Sequence, residues 1–396
     1  MIGSMRFFLL SCLAASAGAV IAPGAARADF SECVASLRAN GARAGVSSRT
    51  LDVAFNGLQP DMKVLDFQKE QPEFKTPIWD YVAGLVDEER VSDGKAAMAK
   101  EARALARAEE TYGVGRFMLA AIWGVESNFG ADMGKRPLVQ SLSTLVCYGE
   151  RAGYFRSELM ATLKIIDHGD VPAEKLTGSW AGAFGQTQFM PSTFLRLAVD
   201  FEGNGRRDIV DSAPDALAST ANYLARSGWR SGLVWGFEVK LPPGYSGPSG
   251  RKDKQSMSFW AARGLTRIDG RPLGPGDAGL LLPAGPEGPA FLVTRNFDAV
   301  YSYNAAESYT LAACVLADRL EGGAGIVLPW PTDDPGLSRA GRRELQTLLS
   351  KRGYDVGGPD GAIGTKTKEA IADFEQKNGM PVNGRASQKV LEALRR

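Results

Sequence analysis

The stretch that decides the fold is residues 119–130, LAAIWGVESNFG. Its apolar side chains Leu119, Ile122 and Trp123 recur at helical spacing and predict one buried helix face. Glu126 follows Trp123 by three residues and Ile122 by four, so it falls on that same face. The stretch therefore predicts a helix that carries a single carboxylate toward the interior of the protein.

Asn128 and Gly130 indicate that this helix ends directly after Glu126. Burial disfavours the ionised form of a carboxylate, and the negative end of the helix dipole disfavours it further. Both effects predict that Glu126 stays protonated near neutral pH, as a general acid must. By itself, the segment fits a buried glutamate bonded to a neighbouring backbone group equally well.

Composition narrows the chemistry that the chain can perform. Its 396 residues are 44% hydrophobic and 23% charged, as in ordinary soluble proteins of two or three domains. His168 is the only histidine, which argues against Ser-His-Asp and Cys-His catalysis and against multi-histidine zinc sites. Carboxylate chemistry is the leading candidate that remains.

The N-terminus predicts export. Arg6 precedes an apolar run over residues 7–22, and the sequence ARA at 26–28 matches an A-x-A cleavage site. We interpret residues 1–28 as a secretory signal peptide, with a mature chain that begins near Asp29. The apolar run is short and alanine-rich, which disfavours a retained membrane anchor.

Charge and cysteines constrain the exported chain. Residues 1–28 hold two of the 46 basic residues and none of the 45 acidic ones, so the remainder has a net charge of −1. This balance gives no support for nucleic-acid binding.

The four cysteines have different expected roles. Cys12 follows too short a hydrophobic stretch for a lipoprotein signal. Cys33, Cys147 and Cys314 allow at most one internal disulfide; the sequence does not say which, and a buried free thiol at Cys314 fits equally well.

The pattern along the chain predicts a helix-rich catalytic region over residues 29–320, with a helical N-terminal part to about residue 107. The alanine-rich run over 95–110 predicts one continuous helix. Two β-prone runs, 236–241 and 290–294, predict a small β-containing insertion.

Glycine and proline over residues 321–337 predict a linker. Residues 338–396 follow with an apolar pattern of their own, which predicts a separate three-helix module. Its clusters are Leu345, Leu348 and Leu349; Ile371 and Phe374; and Val390, Leu391 and Leu394.

Residues 178–192, GSWAGAFGQTQFMPS, form a second chemical motif. Its small residues let the backbone approach a ligand closely. Neutral hydrogen-bonding side chains and aromatic faces suited to a sugar ring accompany them. These are Ser179, Gln186 and Gln188, and Trp180, Phe184 and Phe189. A tight loop that enters a helix beginning at Pro191 is the alternative interpretation.

Together these motifs resemble those of the lytic transglycosylases of bacterial cell walls, in particular the membrane-bound lytic transglycosylase B family. The resemblance runs from about residue 30 to 320 through ordered, well separated segments. These are GVESNFG at 124–130, GSWAGAFG at 178–185, QFMPS at 188–192, ANYL at 221–224 and YN at 303–304. It implies a lysozyme-like, mainly α (α+β) fold for the catalytic region.

The resemblance assigns roles to individual residues. It implies that Glu126 is the sole general acid/base and that Ser179 hydrogen-bonds it. The implied substrate-binding residues are Gln188, Tyr223, Tyr303, Asn304, Tyr309 and Arg151. Gln186 and Thr187 depart from the family pattern, which would tune a subsite.

Purely structural roles also fit two of these positions. Asn304 with Glu307 forms a capping box that would open the last helix of the domain. Tyr223 also fits a core aromatic of its own helix.

The resemblance implies a carbon–oxygen lyase that acts on polysaccharide. It would cleave the MurNAc-β-1,4-GlcNAc bond and leave 1,6-anhydro-MurNAc ends, with no cofactor required for the chemistry. A hydrolytic glycosidase needs a second carboxylate, and Asp132, Glu150 and Glu158 keep a lysozyme-type muramidase open as an alternative. A non-catalytic cell-wall binding protein is the other alternative, against which Glu126 and Ser179 argue.

Residues 200–211, DFEGNGRRDIVD, approximate the twelve-residue EF-hand calcium loop, with Gly205 at the turn position. Ligand positions 1, 3, 5, 7, 9 and 12 hold Asp200, Glu202, Asn204, Arg206 through its carbonyl, Asp208 and Asp211. Glutamate at position 3 and aspartate at position 12 depart from the pattern, and a plain polar turn is the alternative. A structural calcium ion here is also implied by the family resemblance.

The C-terminal module resembles the peptidoglycan-binding domain type 1. The matching segments are residues 344–346, 352–354, 360–364, 367–374 and 378–382, while Glu375 stands where glutamine is usual. The resemblance implies peptidoglycan glycan strands as the partner. The net charge predicts no nucleic-acid partner, and the signal peptide predicts a periplasmic location. We also expect a monomer that contacts cell-wall synthesis or division proteins. The alternative for the module is a spacer or a protein-docking surface.

Overall fold

The computed structural model describes residues 23–68 and 76–396, with side chains from residue 30 onward. Residues 1–22, most of the predicted signal peptide, lie outside the described residues. Within those two ranges, no helix is both long enough and apolar enough to cross a membrane.

The first part of the chain is helical, as predicted. Its helices are α1 (Pro23–Arg43), α2 (Ser48–Phe55), α3 (Lys63–Phe67), α4 (Ile78–Leu85), α5 (Glu88–Lys100), α6 (Ala102–Tyr112), α7 (Arg116–Ser127), α8 (Leu138–Tyr148), α9 (Ala152–His168), α10 (Pro191–Leu197) and α11 (Ala213–Arg226). The two short strands β1 (Arg136–Pro137) and β2 (Thr177–Gly178) pair antiparallel.

The predicted β-containing insertion follows α11. It contains β3 (Gly236–Lys240), β4 (Gln255–Ser256), α12 (Met257–Ala261), β5 (Thr266–Arg267), β6 (Asp277–Leu281) and β7 (Ala290–Val293). These strands form one antiparallel sheet in the order β4-β6-β7-β3-β5. The chain returns to helix in α13 (Arg295–Tyr301) and α14 (Glu307–Glu321).

The alanine-rich run does not form the single helix that its propensity predicts. Glu101, with φ −99° and ψ 24°, separates α5 from α6. The break lets α5 pack against α14 while α6 packs against α11. Tertiary packing therefore outweighs the modest helix preference of the individual residues.

The catalytic region holds two large hydrophobic clusters. One surrounds α7 and α14, and the other surrounds α8 and α9. The half-buried rings of Tyr223 and Tyr303 pack against both clusters. The seam between the two clusters is therefore marked by two of the residues predicted to bind substrate.

One of the cysteine pairings that the sequence left open is present. A disulfide joins Cys33 on α1 to Cys147 on α8, with a Cα–Cα distance of 6.0 Å. Cys314 is a free thiol buried in α14. A disulfide across 114 residues of chain fits a protein that folds in an oxidising compartment.

The last part of the chain is the predicted three-helix module, formed by α15 (Arg339–Lys351), α16 (Thr365–Lys377) and α17 (Gln388–Arg395). The segment before it lies along the catalytic region. The buried carboxylate of Glu238 accepts the backbone N–H groups of Val327 and Leu328, each at 2.8 Å. The ring of Trp330 packs against Trp79 with centroids 6.5 Å apart.

Candidate active site

Glu126 is half-buried in the last turn of α7. Asn128 ends the helix in the left-handed conformation, with φ 49°, so the predicted helix and its end are both present. The hydroxyl of Tyr309 donates a hydrogen bond to Oε1 of Glu126 at 2.5 Å. Because Tyr309 lies on α14, the fold joins two residues that are 183 positions apart in the chain.

In this pair the Tyr309 hydroxyl remains protonated and is the hydrogen-bond donor to Glu126. Its side chain is only 2% exposed. Burial raises the pKa of Tyr309 well above its usual value, and the negative charge of Glu126 raises it further. The phenol therefore keeps its proton and holds one carboxylate oxygen of Glu126 in place.

A second tyrosine pair lies beside this contact. The rings of Tyr223 and Tyr303 meet edge to face, with centroids 4.8 Å apart. The Tyr303 hydroxyl donates to the carbonyl of Thr187 at 2.7 Å, and the Tyr223 hydroxyl donates to the carbonyl of Ser302 at 2.5 Å. Burial raises the pKa of Tyr303 well above its usual value, and the nearby negative charge of Glu126 raises it further.

The second motif folds as a tight loop. Its Ser179 hydroxyl accepts the backbone N–H of Ala183 at 3.0 Å, and the Ser179 N–H donates to the Ala183 carbonyl at 2.8 Å. The Gln188 amide donates to the carbonyls of Met133 at 3.0 Å and Gly185 at 2.8 Å. Gln188 thus ties this loop to the segment that follows Glu126. The implied hydrogen bond from Ser179 to Glu126 stays a prediction.

Three side chains of this motif are structural and not exposed toward a ligand. Phe184 and Phe189 are 0% and 2% exposed, so the prediction that they offer sugar-stacking faces is wrong. Phe184 packs against Phe194, and Phe189 packs against the Tyr223 and Tyr303 rings. Gln186 is also buried, and its amide donates to the Val210 carbonyl at 3.1 Å.

The capping box predicted from Asn304 and Glu307 is wrong. Helix α14 begins at Glu307 and is capped by Ala306 without a side-chain hydrogen bond. Glu307 is then the first helical residue, too early to reach back to Asn304. Its carboxylate lies 3.4 Å from the guanidinium of Arg251 instead. Asn304 is half-buried beside Tyr303.

Arg151 begins α9 at the surface. It adopts the left-handed conformation, with φ 60°, and its guanidinium lies 4.6 Å from the centre of the Tyr154 ring. The structure gives it no described contact with the residues around Glu126. Its predicted role in substrate binding stays a prediction.

The alternative carboxylates have other roles or lie at the surface. Glu158 is 3% exposed and caps α10, because it accepts the Ser192 backbone N–H at 2.9 Å and the Ser192 hydroxyl at 2.7 Å. Asp132 and Glu150 are exposed. A second catalytic carboxylate is therefore not supported at any of these three positions.

The predicted calcium loop keeps its carboxylates apart. Asp200 accepts the backbone N–H groups of Gly203, Asn204 and Gly205 at 2.7–3.0 Å. Asp211 pairs with Lys175, and Glu202 accepts the Ser212 hydroxyl at 2.7 Å. Among the residues that the structure describes, no three His, Cys, Asp or Glu side chains are grouped to hold a metal ion. In this arrangement Asp200, Glu202 and Asp211 are each bound to other groups of the protein, so calcium binding requires some of them to change partners.

The remaining residues of that loop stabilise its turn. Asn204 accepts the backbone N–H of Arg206 at 3.0 Å, and Asp208 accepts the N–H groups of Val210 at 2.9 Å and Asp211 at 2.8 Å. These bonds involve Oδ1 of Asn204 and Oδ1 of Asp208.

Glu375 in the C-terminal module is buried at 1% exposure. Its carboxylate accepts the backbone N–H groups of Asn383 at 2.7 Å and Gly384 at 2.8 Å. This departure from the usual glutamine therefore serves the turn before α17 and not a surface contact.

Two buried charged residues near Glu126 were missed by the sequence interpretation. Arg90 is 7% exposed and donates to the carbonyl of Gly124 on α7, and Asp87 caps the helix that carries Arg90. The acidic first turn after Asp87 was an available capping signal. The contact of Arg90 with α7 has no local signal, because it joins segments 34 residues apart.

Known protein families match both parts of the chain. The family described as Transglycosylase SLT domain matches residues 29–318, and a peptidoglycan binding domain family matches residues 338–394. Membrane-bound lytic murein transglycosylase B of Escherichia coli (strain K12) is 38% identical over 218 residues. That match spans 53% of this chain and 58% of the relative, so the chain covers little more than half the length of that protein.

Solved structures extend the similarity. SltB3 from Pseudomonas aeruginosa, in complex with NAG-anhNAM-pentapeptide, has 44% identity and a TM-score of 0.75, covering 93% of this chain and 99% of that one. The Escherichia coli lytic transglycosylase Slt35, in complex with calcium, has 31% identity and a TM-score of 0.64, covering 76% of this chain and 94% of that one. The chain belongs to the SLT transglycosylase domain family.

Proposed function

We propose that the protein is a lytic transglycosylase that cleaves the MurNAc-β-1,4-GlcNAc bond of peptidoglycan and leaves 1,6-anhydro-MurNAc ends. Glu126 is its single general acid/base. The observation that carries the proposal is the 2.5 Å hydrogen bond from Tyr309 to Glu126 at the end of α7. It fixes one oxygen of a half-buried carboxylate beside the Tyr223 and Tyr303 rings.

One carboxylate is enough for this reaction. Glu126 in its protonated form gives its proton to the glycosidic oxygen that leaves MurNAc C1. The carboxylate then takes the proton of the MurNAc C6 hydroxyl, whose oxygen attacks C1 and closes the anhydro ring. Glu126 ends the cycle protonated, and no water is consumed. A hydrolase would need a second carboxylate for water or for a covalent intermediate.

Substitution of Glu126 by glutamine tests this assignment. Glutamine keeps the size and an acceptor for Tyr309 but cannot carry the proton. We expect the turnover of soluble glycan strands to fall by at least the ~10²–10⁴-fold typical of general acid–base catalysis, with thermal stability unchanged. Glu150→Gln, at an exposed carboxylate, serves as the matched control and should retain activity. Turnover of Glu126→Gln close to that of the wild type would contradict the assignment.

We also propose that residues 200–211 bind a stabilising calcium ion. Support comes from the spacing of the oxygen ligands, from the positive φ of 86° at Gly205, and from the calcium complex of Slt35. Because Asp211 pairs with Lys175 in the described arrangement, calcium must displace the lysine ammonium from Asp211. The ion has no part in the chemistry at Glu126.

The remaining proposals concern location and partners. We propose that the chain is exported to the periplasm through residues 1–28, which agrees with the disulfide between Cys33 and Cys147. Its C-terminal module binds peptidoglycan glycan strands and acts in cell-wall turnover. We further propose that it works as a monomer that contacts cell-wall synthesis or division proteins.

A further inference from the structure

The C-terminal module is docked against the catalytic region through arginine side chains. Arg385 forms a bidentate pair with Asp80 on α4, whose side chain is 8% exposed. The approach of the two parts is close, because a Cβ added to Gly336 would lie 2.6 Å from the Asp80 Cα. Arg343 on α15 pairs with Glu89 on α5. The module therefore has a fixed place beside α4 and α5.

Arg339 extends from this interface to the catalytic helix. It is the first residue of α15, and its side chain is 14% exposed. Its backbone N–H donates to Asp87 at 2.8 Å, and its guanidinium donates to the side-chain oxygen of Asn128 at 2.9 Å. Asn128 is the residue that ends α7, two positions after Glu126.

A second path leads from Arg339 to the same helix end. Asp87 accepts both Arg339 and the backbone N–H of Arg90, the latter at 2.8 Å. Arg90 in turn donates to the carbonyl of Gly124. Burial lowers the pKa of Arg90 to about 10, with the charge of Arg339 as the next cause, so Arg90 stays protonated near neutral pH. The last turn of α7 is thus held at Gly124 and Asn128 by one chain of buried charges.

We propose that Arg339 of the C-terminal module is a positioning residue for Glu126, which it holds in place through Asn128 and through Asp87 and Arg90. The inference rests on the proposed function. The last carbonyls of a helix have no partner within the helix, so its end is its least constrained part. Since a displacement of about 1 Å can cost about 10²-fold in rate, fixing this end sustains turnover. The module then contributes to the rate on soluble strands as well as to attachment to the cell wall.

The test uses the full-length chain, three single variants and one double variant. Arg339→Ala removes the guanidinium from both paths and leaves only the backbone N–H bond to Asp87. Asn128→Gly removes only the direct one, and glycine keeps the left-handed helix end. We expect each to lower kcat on soluble glycan strands by about 10–100-fold, with KM little changed. The double variant should lose less than the product of the two single losses, because both changes break one interaction.

Arg343→Ala is the control, since its half-exposed pair with Glu89 lies in the same interface without touching α7. It should leave kcat unchanged. Hydrogen–deuterium exchange of residues 124–130 separates the inference from the proposed function, because it needs no activity. Faster exchange in Arg339→Ala and Asn128→Gly, but not in Arg343→Ala, supports the positioning role even if the wild type cleaves no glycan.

Two results overturn the positioning role. One is wild-type kcat in Asn128→Gly, and the other is unchanged exchange of residues 124–130 in Arg339→Ala. If these variants lost sacculus binding but retained kcat on soluble strands, the module would serve only to attach the enzyme to the cell wall.

Discussion

The site around Glu126 and the loop from Asp200 to Asp211 both carry acidic residues, yet they are built in opposite ways. At Glu126 the key partner Tyr309 comes from α14 and lies 183 residues away along the chain. In the loop all the predicted ligands lie within twelve consecutive residues. The residues at the Glu126 site are far apart in the sequence, yet the fold brings them together around one carboxylate. The predicted calcium ligands are close in the sequence, yet the fold does not group their carboxylates into a metal site.

The difference lies in what already satisfies each carboxylate. Asp200 is occupied by three backbone N–H groups of its own turn, and Asp211 by the ammonium of Lys175. Glu126 is held by the phenol of Tyr309, which is a neutral donor. Ligand spacing alone therefore says less about function than the partners that the fold brings to each oxygen.

The largest expected effect on this comparison is a loss of kcat when the hydrogen bond from Tyr309 to Glu126 is removed. Tyr309→Phe removes the donor to Glu126 and keeps the ring. Because a hydrogen bond to a charged group contributes about 1.5–3 kcal/mol, we expect kcat to fall by roughly 10–100-fold. Tyr245→Phe removes a phenol that donates to the Pro248 carbonyl in the insertion and serves as control. Equal kcat for both variants would mean that Tyr309 does not hold the catalytic oxygen.

The second effect concerns calcium in the loop. A ligand that binds only the native state stabilises it by about 2.7 kcal/mol at a hundred times its dissociation constant. We expect the wild type to melt at a higher temperature in calcium than in chelator, and Asp200→Ala to lose the difference. Lys175→Met should enlarge it, because the competing ammonium is removed. Identical melting of the wild type and Lys175→Met in both conditions would exclude a calcium site.

The smallest effect concerns Asp318, a carboxylate on the same helix as Tyr309. It accepts Trp235 Nε1–H at 2.9 Å, and burial raises its pKa from 3.8 to about 6. A folded-state pKa above the unfolded value gives stability that is present below about pH 4 and is lost as the pH rises through 6. Asp318→Asn cannot titrate and should gain in Tm relative to the wild type over this range.

The gain at Asp318 should amount to a few degrees, since 1 kcal/mol corresponds to roughly 2–4 °C in a domain of this size. Melting near pH 4 and near pH 7.5 measures it, with kcat of the variant unchanged. A difference in Tm that is independent of pH would contradict the assignment.

Features with a local signal were predicted well from the sequence. Helix α7 with its end at Asn128, strands β3 and β7, and the three helices of the C-terminal module follow from apolar spacing and turn residues. Glu126 was found because a carboxylate on an apolar stripe is physically unusual. Tyr309 was found only through the family resemblance.

Features decided by distant packing could not be predicted. The break at Glu101, the choice of Cys147 as the partner of Cys33, and the burial of Phe184 depend on segments far along the chain. The contact of Arg339 with Asn128 joins residues 211 positions apart. No local sequence pattern predicts such a contact, because the contact forms only when the C-terminal module docks against the catalytic region.

The most direct test of the central claim is the mass of the products that the wild-type chain releases from purified peptidoglycan. If Glu126 acts alone and the C6 hydroxyl is the nucleophile, every new end is a 1,6-anhydro-MurNAc, one water lighter than a hydrolytic end, and borohydride reduces none of them. Reducible MurNAc ends throughout would mean that water is the nucleophile. The protein would then be a muramidase with a second carboxylate, and the single-carboxylate account of Glu126 would be wrong.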